Sequence, residues 1–238
     1  MEALLLAWFA ANGRDLPWRC TKDPYAILVS EVMLQQTQVE RVIPCYLAWV
    51  ERWPTAQALA AASPADVIRE WQGLGYNRRA LNLHRAACHV AENGWPDDLT
   101  VLPGVGRYTA DAVSSFALGH PVLPVDTNVR RVQERTGHSF GPESGQAVMD
   151  LGATICRARV PRCGICPLAE ECPSRGRRYE PLRKQSRFEG SFRQRRAETL
   201  RLVAAGARGS AELDAEAVAA LERDGLVQIS DGQVALPA

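Results

Sequence analysis

The chain has 238 residues, of which 46% are hydrophobic and 23% are charged, and its formal net charge at pH 7 is +1. This composition is typical of a globular protein with one large domain or two small ones. No apolar run approaches the ~20 residues that a membrane-spanning helix needs. The N-terminal segment lacks a basic n-region and a cleavage site, so no secretory signal is predicted and we expect a cytoplasmic protein.

Apolar residues recur at three- and four-residue spacing through most of the chain, which predicts a mostly helical fold. Ser63 followed by Pro64 is a typical N-cap with a proline in the first helical turn. The predicted helices are Tyr25–Val39, Val42–Trp53, Ala65–Trp71, Arg79–Ala91, Tyr108–Leu118 and Val129–Arg135.

The C-terminal tail has a different pattern from the rest of the chain. Two helical stretches, Arg195–Ala207 and Asp214–Arg223, precede the apolar segments Leu226–Ser230 and Gln233–Leu236. The Asp-Gly pair between these segments, at 231–232, is a strong signal for a two-residue hairpin turn. The tail is therefore predicted to be a small winged-helix-like unit.

A basic stretch lies just before this tail. From Pro173 to Arg201 there are nine Arg and one Lys against three Glu, which gives a local net charge of +7. Basic stretches of this kind often contact phosphates. A solvated linker is the alternative interpretation of the same pattern.

Four cysteines with the spacing C-x6-C-x2-C-x5-C carry the most information: Cys156, Cys163, Cys166 and Cys172. Four thiolates this close suit one tetrahedral metal ion or the four corners of an iron–sulfur cluster. Disulfides are disfavoured because nothing indicates secretion. Structural zinc usually uses two C-x2-C pairs, and here only Cys163 and Cys166 form one. The spacing therefore favours a [4Fe–4S] cluster over zinc.

The segment Leu102–Thr109 reads LPGVGRYT and lies between two predicted helices. Gly104 and Gly106 allow a tight hairpin and a close approach of backbone N–H groups to an anion. The helix that begins near Tyr108 directs its N-terminus at the same place. This arrangement suits a DNA phosphate, a contact that fixes position without reading sequence.

Asp126 follows a Gly/Pro-bearing segment and precedes Thr-Asn-Val-Arg-Arg-Val, so it is a predicted helix N-cap. Capping would hold the carboxylate at the mouth of a helix. A fixed carboxylate close to a sugar can stabilise an oxocarbenium-like charge. Asp126 is therefore a candidate for both capping and catalysis.

Over roughly residues 5–173 the chain resembles the helix-hairpin-helix, Gly/Pro-rich-loop, Asp superfamily of base-excision DNA glycosylases. Within it, the string SEVMLQQTQV is most similar to the MutY-type adenine glycosylases. The strings that carry the resemblance are LPWR (16–19), DPY (23–25), SEVMLQQTQV (30–39), GLGYNRRA (73–80), LPGVGRYTA (102–110), VDTNVRRV (125–132) and QAVMDLGATIC (146–156).

The resemblance implies a fold of two helical subdomains. A six-helix barrel-type subdomain with the helix-hairpin-helix would span 22–130, and a [4Fe–4S] cluster subdomain would combine 1–21 with 131–173. A basic linker at 174–194 and the winged-helix-like tail at 195–238 would follow.

The resemblance also implies catalytic roles. Glu31 matches the glutamate that protonates the leaving adenine at N7, and Asp126 matches the aspartate that steadies the sugar cation. The apolar neighbours Val29 and Val32 predict partial burial of Glu31, which would raise the pKa of this general acid. Tyr108 falls where bifunctional relatives place a nucleophilic lysine. Because tyrosine cannot form a Schiff base, the implied enzyme is monofunctional, without strong lyase activity.

Further residues are implied to contact DNA. An enzyme cannot reach a glycosidic bond inside the base stack, so it must extrude the nucleotide into a pocket. Gln36 and Tyr76 match residues that wedge into the duplex, and Gln146 matches a residue that reads the extruded adenine. The remaining implied DNA contacts are Arg19, Gly104, Gly106 and Arg107.

The expected substrate is therefore double-stranded DNA with adenine opposite 8-oxoguanine or guanine, bound by a monomer that is associated with the bacterial nucleoid and not with a membrane. Two features depart from the MutY-type pattern. Only 66 residues follow Cys172, too few for the usual C-terminal domain that reads 8-oxoguanine. Asp126 is followed by Thr, where many members have Gly.

Two alternative functions stay open at this point. One is a glycosylase that removes thymine or uracil opposite guanine, because Tyr108 also occurs in such enzymes. The other is a noncatalytic, cluster-containing DNA-binding protein, against which the presence of both Glu31 and Asp126 argues.

Overall fold

The computed structural model describes residues 1–178 and 187–238, and it confirms the mostly helical fold. No helix in these two ranges is both long and apolar enough to cross a membrane. The helices are α1 (Glu2–Asn12), α2 (Pro24–Leu34), α3 (Val39–Arg52), α4 (Ala56–Ala60), α5 (Pro64–Glu70), α6 (Arg78–Asn93), α7 (Arg107–Phe116), α8 (Thr127–Thr136), α9 (Gly145–Thr154), α10 (Phe192–Ala205) and α11 (Ala215–Arg223).

The helix boundaries follow the sequence signals, with one informative exception. Ser63 caps α5 as predicted, because its Oγ accepts from the Asp66 N–H at 3.1 Å and Pro64 is the first helical residue. The helix predicted to extend to Val39 ends instead at Leu34. Gln36 has a φ of 57°, a left-handed conformation that interrupts an α-helix.

Contacts divide the chain into two compact units. The first contains Met1–Ile27 and Gly106–Lys184, and the second contains Leu28–Val105 and Gln185–Ala238. This division differs from the domains expected from the sequence, since residues 106–130 belong with the cysteine-bearing segment and the tail belongs with residues 28–105. Within the predicted basic linker, residues 179–186 lie outside the described part of the chain.

The first unit has an apolar core that supports the cysteine-bearing segment. Leu5 of α1, Val132 of α8 and Leu151 of α9 are buried together with Leu168, which lies between the third and fourth cysteines. Packing of Leu168 into this core places the cysteine-bearing segment against α8 and α9.

The C-terminal tail forms the predicted winged-helix-like unit. Strands β1 (Arg208–Gly209), β2 (Gln228–Ser230) and β3 (Gln233–Ala235) form an antiparallel sheet in the order β1-β3-β2. Asp231 and Gly232, with φ values of 51° and 72°, both adopt the left-handed conformation that a type I′ hairpin turn requires.

The core of the tail also includes residues from the preceding part of the second unit. Leu200, Leu221 and Leu226 are fully buried together with Ile68 of α5 and Leu81 of α6. The apolar side of the tail is therefore covered by helices from the preceding part of the chain. This shared core explains why the tail groups with residues 28–105.

The shared core predicts a large stability effect from a single substitution in the tail. Leu200→Ala should lower the free energy of unfolding by about 2–5 kcal/mol, because it leaves a cavity between the tail and α5–α6. The exposed Leu202 on the same helix is the matched control, and Leu202→Ala should have little effect. Urea unfolding followed by circular dichroism measures both. A Leu200→Ala protein in which only a small early transition shifts would instead indicate a tail that folds separately.

Candidate active site and cysteine pocket

Glu31 lies near the C-terminal end of α2 and is only 6% exposed. Its neighbours Val29, Val32 and Met33 are also buried. The predicted burial of this carboxyl group is therefore confirmed. Removal from water disfavours the charged form of a carboxyl group, as a general acid requires.

Asp126 is the N-cap of α8, as predicted. Its Oδ1 accepts from the Val129 N–H at 2.7 Å, and its Oδ2 accepts from the Asn128 side-chain N–H at 2.7 Å. Both carboxylate oxygens are therefore held, and the orientation of the group is fixed by the helix that it starts. Asp126 lies in the first unit and Glu31 in the second.

The hydrogen bonds at Asp126 continue along α8 to the first cysteine. The Asn128 Oδ1 accepts from Arg131 Nη2 at 2.6 Å, and Arg131 Nε donates to the Cys156 carbonyl oxygen at 2.8 Å. Gly152 of α9 permits the close packing here, because a Cβ on it would lie 2.7 Å from the Asn128 Cβ. No motif in the sequence marks Arg131, although its four-residue spacing from Arg135 indicates that both lie on one face of α8.

Arg135 extends the same support one turn further along α8. It is 7% exposed, and its guanidinium donates to the carbonyl oxygens of Arg157 and Ala158, both at 2.7 Å. Its Nη1 also lies 3.5 Å from the Cys156 Sγ. The two arginines of α8 therefore fix the backbone that follows α9.

All four predicted cysteine ligands line one pocket of about 420 Å³, part of which is open to solvent. Burial, with smaller contributions from the other three thiols, raises the pKa of the Cys166 thiol to about 11. These thiols are therefore close enough to influence one another. Within residues 1–178 and 187–238, no three Cys, His, Asp or Glu side chains are placed so that they could hold one metal ion.

The loop before α7 has the expected glycines, but they have different roles. Gly104 has a φ of +78°, and a Cβ on it would lie 2.8 Å from the Asn82 Cβ, so only glycine fits. Gly106 is the N-cap of α7 with an ordinary φ of −88°, and a Cβ on it would meet nothing within 4 Å. The space beside Gly106 therefore leaves the start of α7 accessible. Arg107 is exposed and donates to Asp111 at 2.9 Å.

Arg19 has a structural role that the sequence analysis does not predict. Its guanidinium donates to both carboxylate oxygens of Asp150, at 2.8 and 2.9 Å, and Arg14 donates to the same carboxylate from its backbone and its side chain. Asp150 is fully buried in α9. Burial alone would raise the pKa of Asp150, but the hydrogen bonds from Arg19 and Arg14 hold it below its ordinary value.

The remaining predicted site residues occupy the starts of helices and two turns. Tyr108 and Gln146 are half-buried in the first turns of α7 and α9. Gln36 and Tyr76 are exposed and have φ values of 57° and 48°. A left-handed conformation costs a non-glycine residue about 1–2 kcal/mol, so the surroundings must stabilise both turns.

Comparison with known proteins agrees with these features. Residues 29–157 match the family model that is described as "HhH-GPD superfamily base excision DNA repair protein". The adenine DNA glycosylase of Mycolicibacterium smegmatis is 45% identical, over 82% of this chain and 78% of that protein. The chain belongs to the HhH-GPD superfamily, as a MutY-type member.

A second relative extends this assignment. The adenine DNA glycosylase of Mycobacterium tuberculosis is 42% identical over 98% of this chain and 92% of that protein. That alignment runs over 281 positions against the 238 residues here, so the mycobacterial protein has residues within the aligned region that this MutY-type chain lacks.

The solved structures support the HhH-GPD fold. A thermostable thymine-DNA glycosylase matches with a TM-score of 0.66 and 27% identity, over 73% of this chain and 94% of that one. An endonuclease III trapped as a covalent DNA intermediate matches in fold, with a TM-score of 0.63 and 24% identity, over 73% of this chain and 92% of that one.

The Arg14–Asp150–Arg19 group gives a prediction about stability and pH in this MutY-type chain. Asp150→Asn should cost about 3–5 kcal/mol at neutral pH, because it leaves two arginines without their buried anion. The pKa of Asp150 is lower in the folded chain than the ordinary value of 3.8, so this stabilisation is complete above that value. It is lost as the pH falls through the folded-state pKa.

Denaturant unfolding of Asp150→Asn and wild type at a series of pH values measures this difference. The exposed neighbour Asp15 provides the control substitution Asp15→Asn. A stability difference that stays constant down to the most acidic pH would contradict the assigned cause.

Proposed function

We propose that this chain hydrolyses the N-glycosidic bond of adenine opposite 8-oxoguanine or guanine in double-stranded DNA. The observation that carries the proposal is the pair of carboxyl groups in unlike surroundings. Glu31 is only 6% exposed, whereas Asp126 stands at the start of a helix with both of its oxygens accepting hydrogen bonds. The names of the MutY-type relatives, which are adenine DNA glycosylases, supply the identity of the base.

The two environments suit two steps of one hydrolysis. Adenine leaves readily only when it is protonated, so a general acid must keep its proton at neutral pH, and burial favours that form for Glu31. Loss of the base leaves positive charge on the sugar. A carboxylate fixed by the Val129 N–H and by Asn128 can stabilise that charge without reorganisation. Water then completes the hydrolysis.

The DNA backbone contact is proposed at the loop before α7. The start of α7 has no side-chain cap, and Gly106 leaves its first N–H groups accessible. Such a helix start attracts phosphate. Arg107 beside it is 83% exposed in its side chain but pairs with Asp111, so a DNA contact through Arg107 also stays a prediction. Arg19 is engaged with Asp150, so a DNA contact through Arg19 stays a prediction, as does base reading by Gln146.

Tyr108 supports a monofunctional reaction. It occupies the first turn of α7, and a phenol cannot form the Schiff base that strand cleavage by a lyase requires. Thymine or uracil opposite guanine remains the second candidate substrate. The thymine-DNA glycosylase among the similar structures favours it, although that protein is less similar in sequence than the adenine glycosylases are.

The charge of the tail does not suit contact with DNA. From Arg208 to the C-terminus there are two Arg and no Lys against six Asp and Glu. Two of the four arginines of α10 are also engaged, since Arg195 pairs with Asp214 and Glu216, and Arg196 pairs with Asp224. We therefore propose that the tail stabilises the second unit and does not distinguish 8-oxoguanine from guanine. A monomeric state remains a prediction, and an enzyme of genomic DNA would act in the bacterial cytoplasm.

The four cysteines fit a [4Fe–4S] cluster better than a zinc ion. All four line one pocket. However, no three of these described cysteines converge as closely as the ligands of a single ion must. A four-iron cluster takes one thiolate at each of its corners, so its ligands stand further apart. Cys156, Cys163, Cys166 and Cys172 would hold it. When bound, the cluster would join these cysteines and fix the basic loop between them.

Single-turnover base release on a set of duplexes tests the function. The set contains adenine opposite 8-oxoguanine, adenine opposite guanine, thymine opposite guanine and uracil opposite guanine, each analysed with and without alkali. We expect adenine release only, strand breaks only after alkali, and similar rates opposite guanine and 8-oxoguanine. Release of thymine or uracil instead would favour the second candidate.

Glu31→Gln keeps the shape of the side chain and removes the acid. We expect it to lower the rate by about 100-fold or more, as loss of a general acid does, while duplex binding is retained. Glu92→Gln, on the exposed end of α6, is the control. Wild-type rates in Glu31→Gln would exclude the assigned role.

The cysteine proposal predicts about four iron atoms and matching sulfide per chain after purification without oxygen, together with broad visible absorbance. Cys166→Ser should remove the iron and the absorbance. Cys20→Ser should retain both, because Cys20 is exposed and does not line the pocket. A colourless wild-type protein with one zinc ion per chain would contradict the cluster.

A further inference from the structure

Arg79 of α6 is buried, with 8% of its surface exposed, although it has a charged side chain. Its Nη1 donates to the carbonyl oxygens of Val32, Met33 and Gln35, at 2.8, 2.9 and 2.7 Å. The last carbonyls of a helix have no partner within the helix and carry partial negative charge. Arg79 therefore binds the end of α2, directly after Glu31.

The other side of the same guanidinium binds a second turn. Arg79 Nη2 donates to the Gly75 carbonyl oxygen at 2.9 Å and to the Thr37 Oγ1 at 3.1 Å. Two turns, the Gln36 turn (residues 35–37) and the Tyr76 turn (residues 74–76), are therefore joined through one planar group. The fork of donors on a guanidinium can serve both, whereas the single ammonium of lysine cannot.

The charge of Arg79 is retained in this place. The ring centroids of Trp71 and Tyr76 lie 5.2 and 5.6 Å from the guanidinium carbon, and the oxygens that accept from it in the described residues are neutral. Burial lowers the pKa of Arg79 to about 10, so the group stays protonated at neutral pH. The carbonyl dipoles and the aromatic faces therefore stabilise this cation, in place of a carboxylate partner among the described residues.

Each of the two turns presents one exposed residue in a left-handed conformation, Gln36 at a φ of 57° and Tyr76 at 48°. Such conformations persist in non-glycine residues only when the surroundings fix them. Arg79 provides this fixation for both, because it contacts the residues on each side of Gln36 and the backbone next to Tyr76. The two turns are thereby held as one rigid surface.

We propose that Arg79 is a positioning residue that holds Gln36 and Tyr76 as one wedge for base extrusion, and that it does so without contacting DNA. The inference rests on the proposed function, because it takes these two residues as the groups that enter the duplex. A wedge that fills the space of an extruded nucleotide must keep its shape against the base stack. The tie to α2 additionally holds the wedge at a fixed position relative to Glu31.

Arg79→Lys tests the proposal with charge and burial largely kept. We expect the single-turnover rate on adenine opposite guanine to fall by about 100-fold, as a small misplacement near the reacting groups can cause. Extrusion is measured separately, by the fluorescence of 2-aminopurine next to the adenine, in proteins that also carry Glu31→Gln. We expect Arg79→Lys to lower extrusion as strongly as Tyr76→Ala does. Arg69→Lys, an exposed arginine paired with Asp66, is the matched control.

A double variant separates positioning from general destabilisation. If Arg79 acts through the wedge, Arg79→Lys should cost about threefold or less in a Tyr76→Ala protein, because coupled residues are not additive. An equal loss in both backgrounds would overturn the proposal. So would wild-type extrusion in Arg79→Lys. Absence of adenine release from the wild-type chain would instead overturn the proposed function, and extrusion is then measured with 2-aminopurine placed next to thymine opposite guanine.

A second variant decides the question if Arg79→Lys does not fold. Thr37→Val keeps the volume of the side chain but removes the acceptor for Arg79 and the 3.4 Å hydrogen bond from the Thr37 hydroxyl to the Leu74 carbonyl oxygen. We expect a loss of extrusion of about fivefold from these hydrogen bonds. Unchanged extrusion in a folded Thr37→Val protein would contradict a wedge held by Arg79.

Discussion

A buried backbone carbonyl oxygen needs a hydrogen-bond donor. In this MutY-type chain, buried guanidinium groups are the donors to several such oxygens. Arg79 donates hydrogen bonds to backbone carbonyl oxygens at the end of α2 and in two turns of the second unit. Arg131 and Arg135 donate to backbone carbonyl oxygens after α9 in the first unit. Irregular segments cannot satisfy their own carbonyls as helices do. A rigid cation with five donors therefore fixes the segments that carry the proposed wedge and the cysteines.

The two candidate catalytic carboxyl groups depend on different parts of the fold. Glu31 is buried near the end of α2, whereas Asp126 is fixed by the start of α8 and by Asn128. The chain of hydrogen bonds from Asp126 through Asn128 and Arg131 reaches the backbone of Cys156. The backbone at the cysteine pocket and the orientation of Asp126 are therefore both fixed by residues of α8.

The tail shares its apolar core with two helices that precede it in the chain. Its two helices and its hairpin bury Leu200 and Leu226 against Ile68 and Leu81. Ion pairs to acidic residues engage two of the four arginines of α10, and the remainder of the tail is acidic. Both features favour an architectural role over DNA binding in this HhH-GPD chain.

The sequence by itself determined most of the helices, although not α4 or α9, together with the Ser63 cap, the hairpin at 231–232 and the family, because each depends on local spacing and on motifs in order. It also indicated the cap at Asp126 and the burial of Glu31, which follow from immediate neighbours. Only the tertiary structure decided that Arg79 joins two turns, that Arg19 binds Asp150 and that the tail packs on α5 and α6. Those contacts join residues far apart in the chain, and an arginine in a periodic pattern carries no sign of which carbonyl or carboxylate will be brought to it.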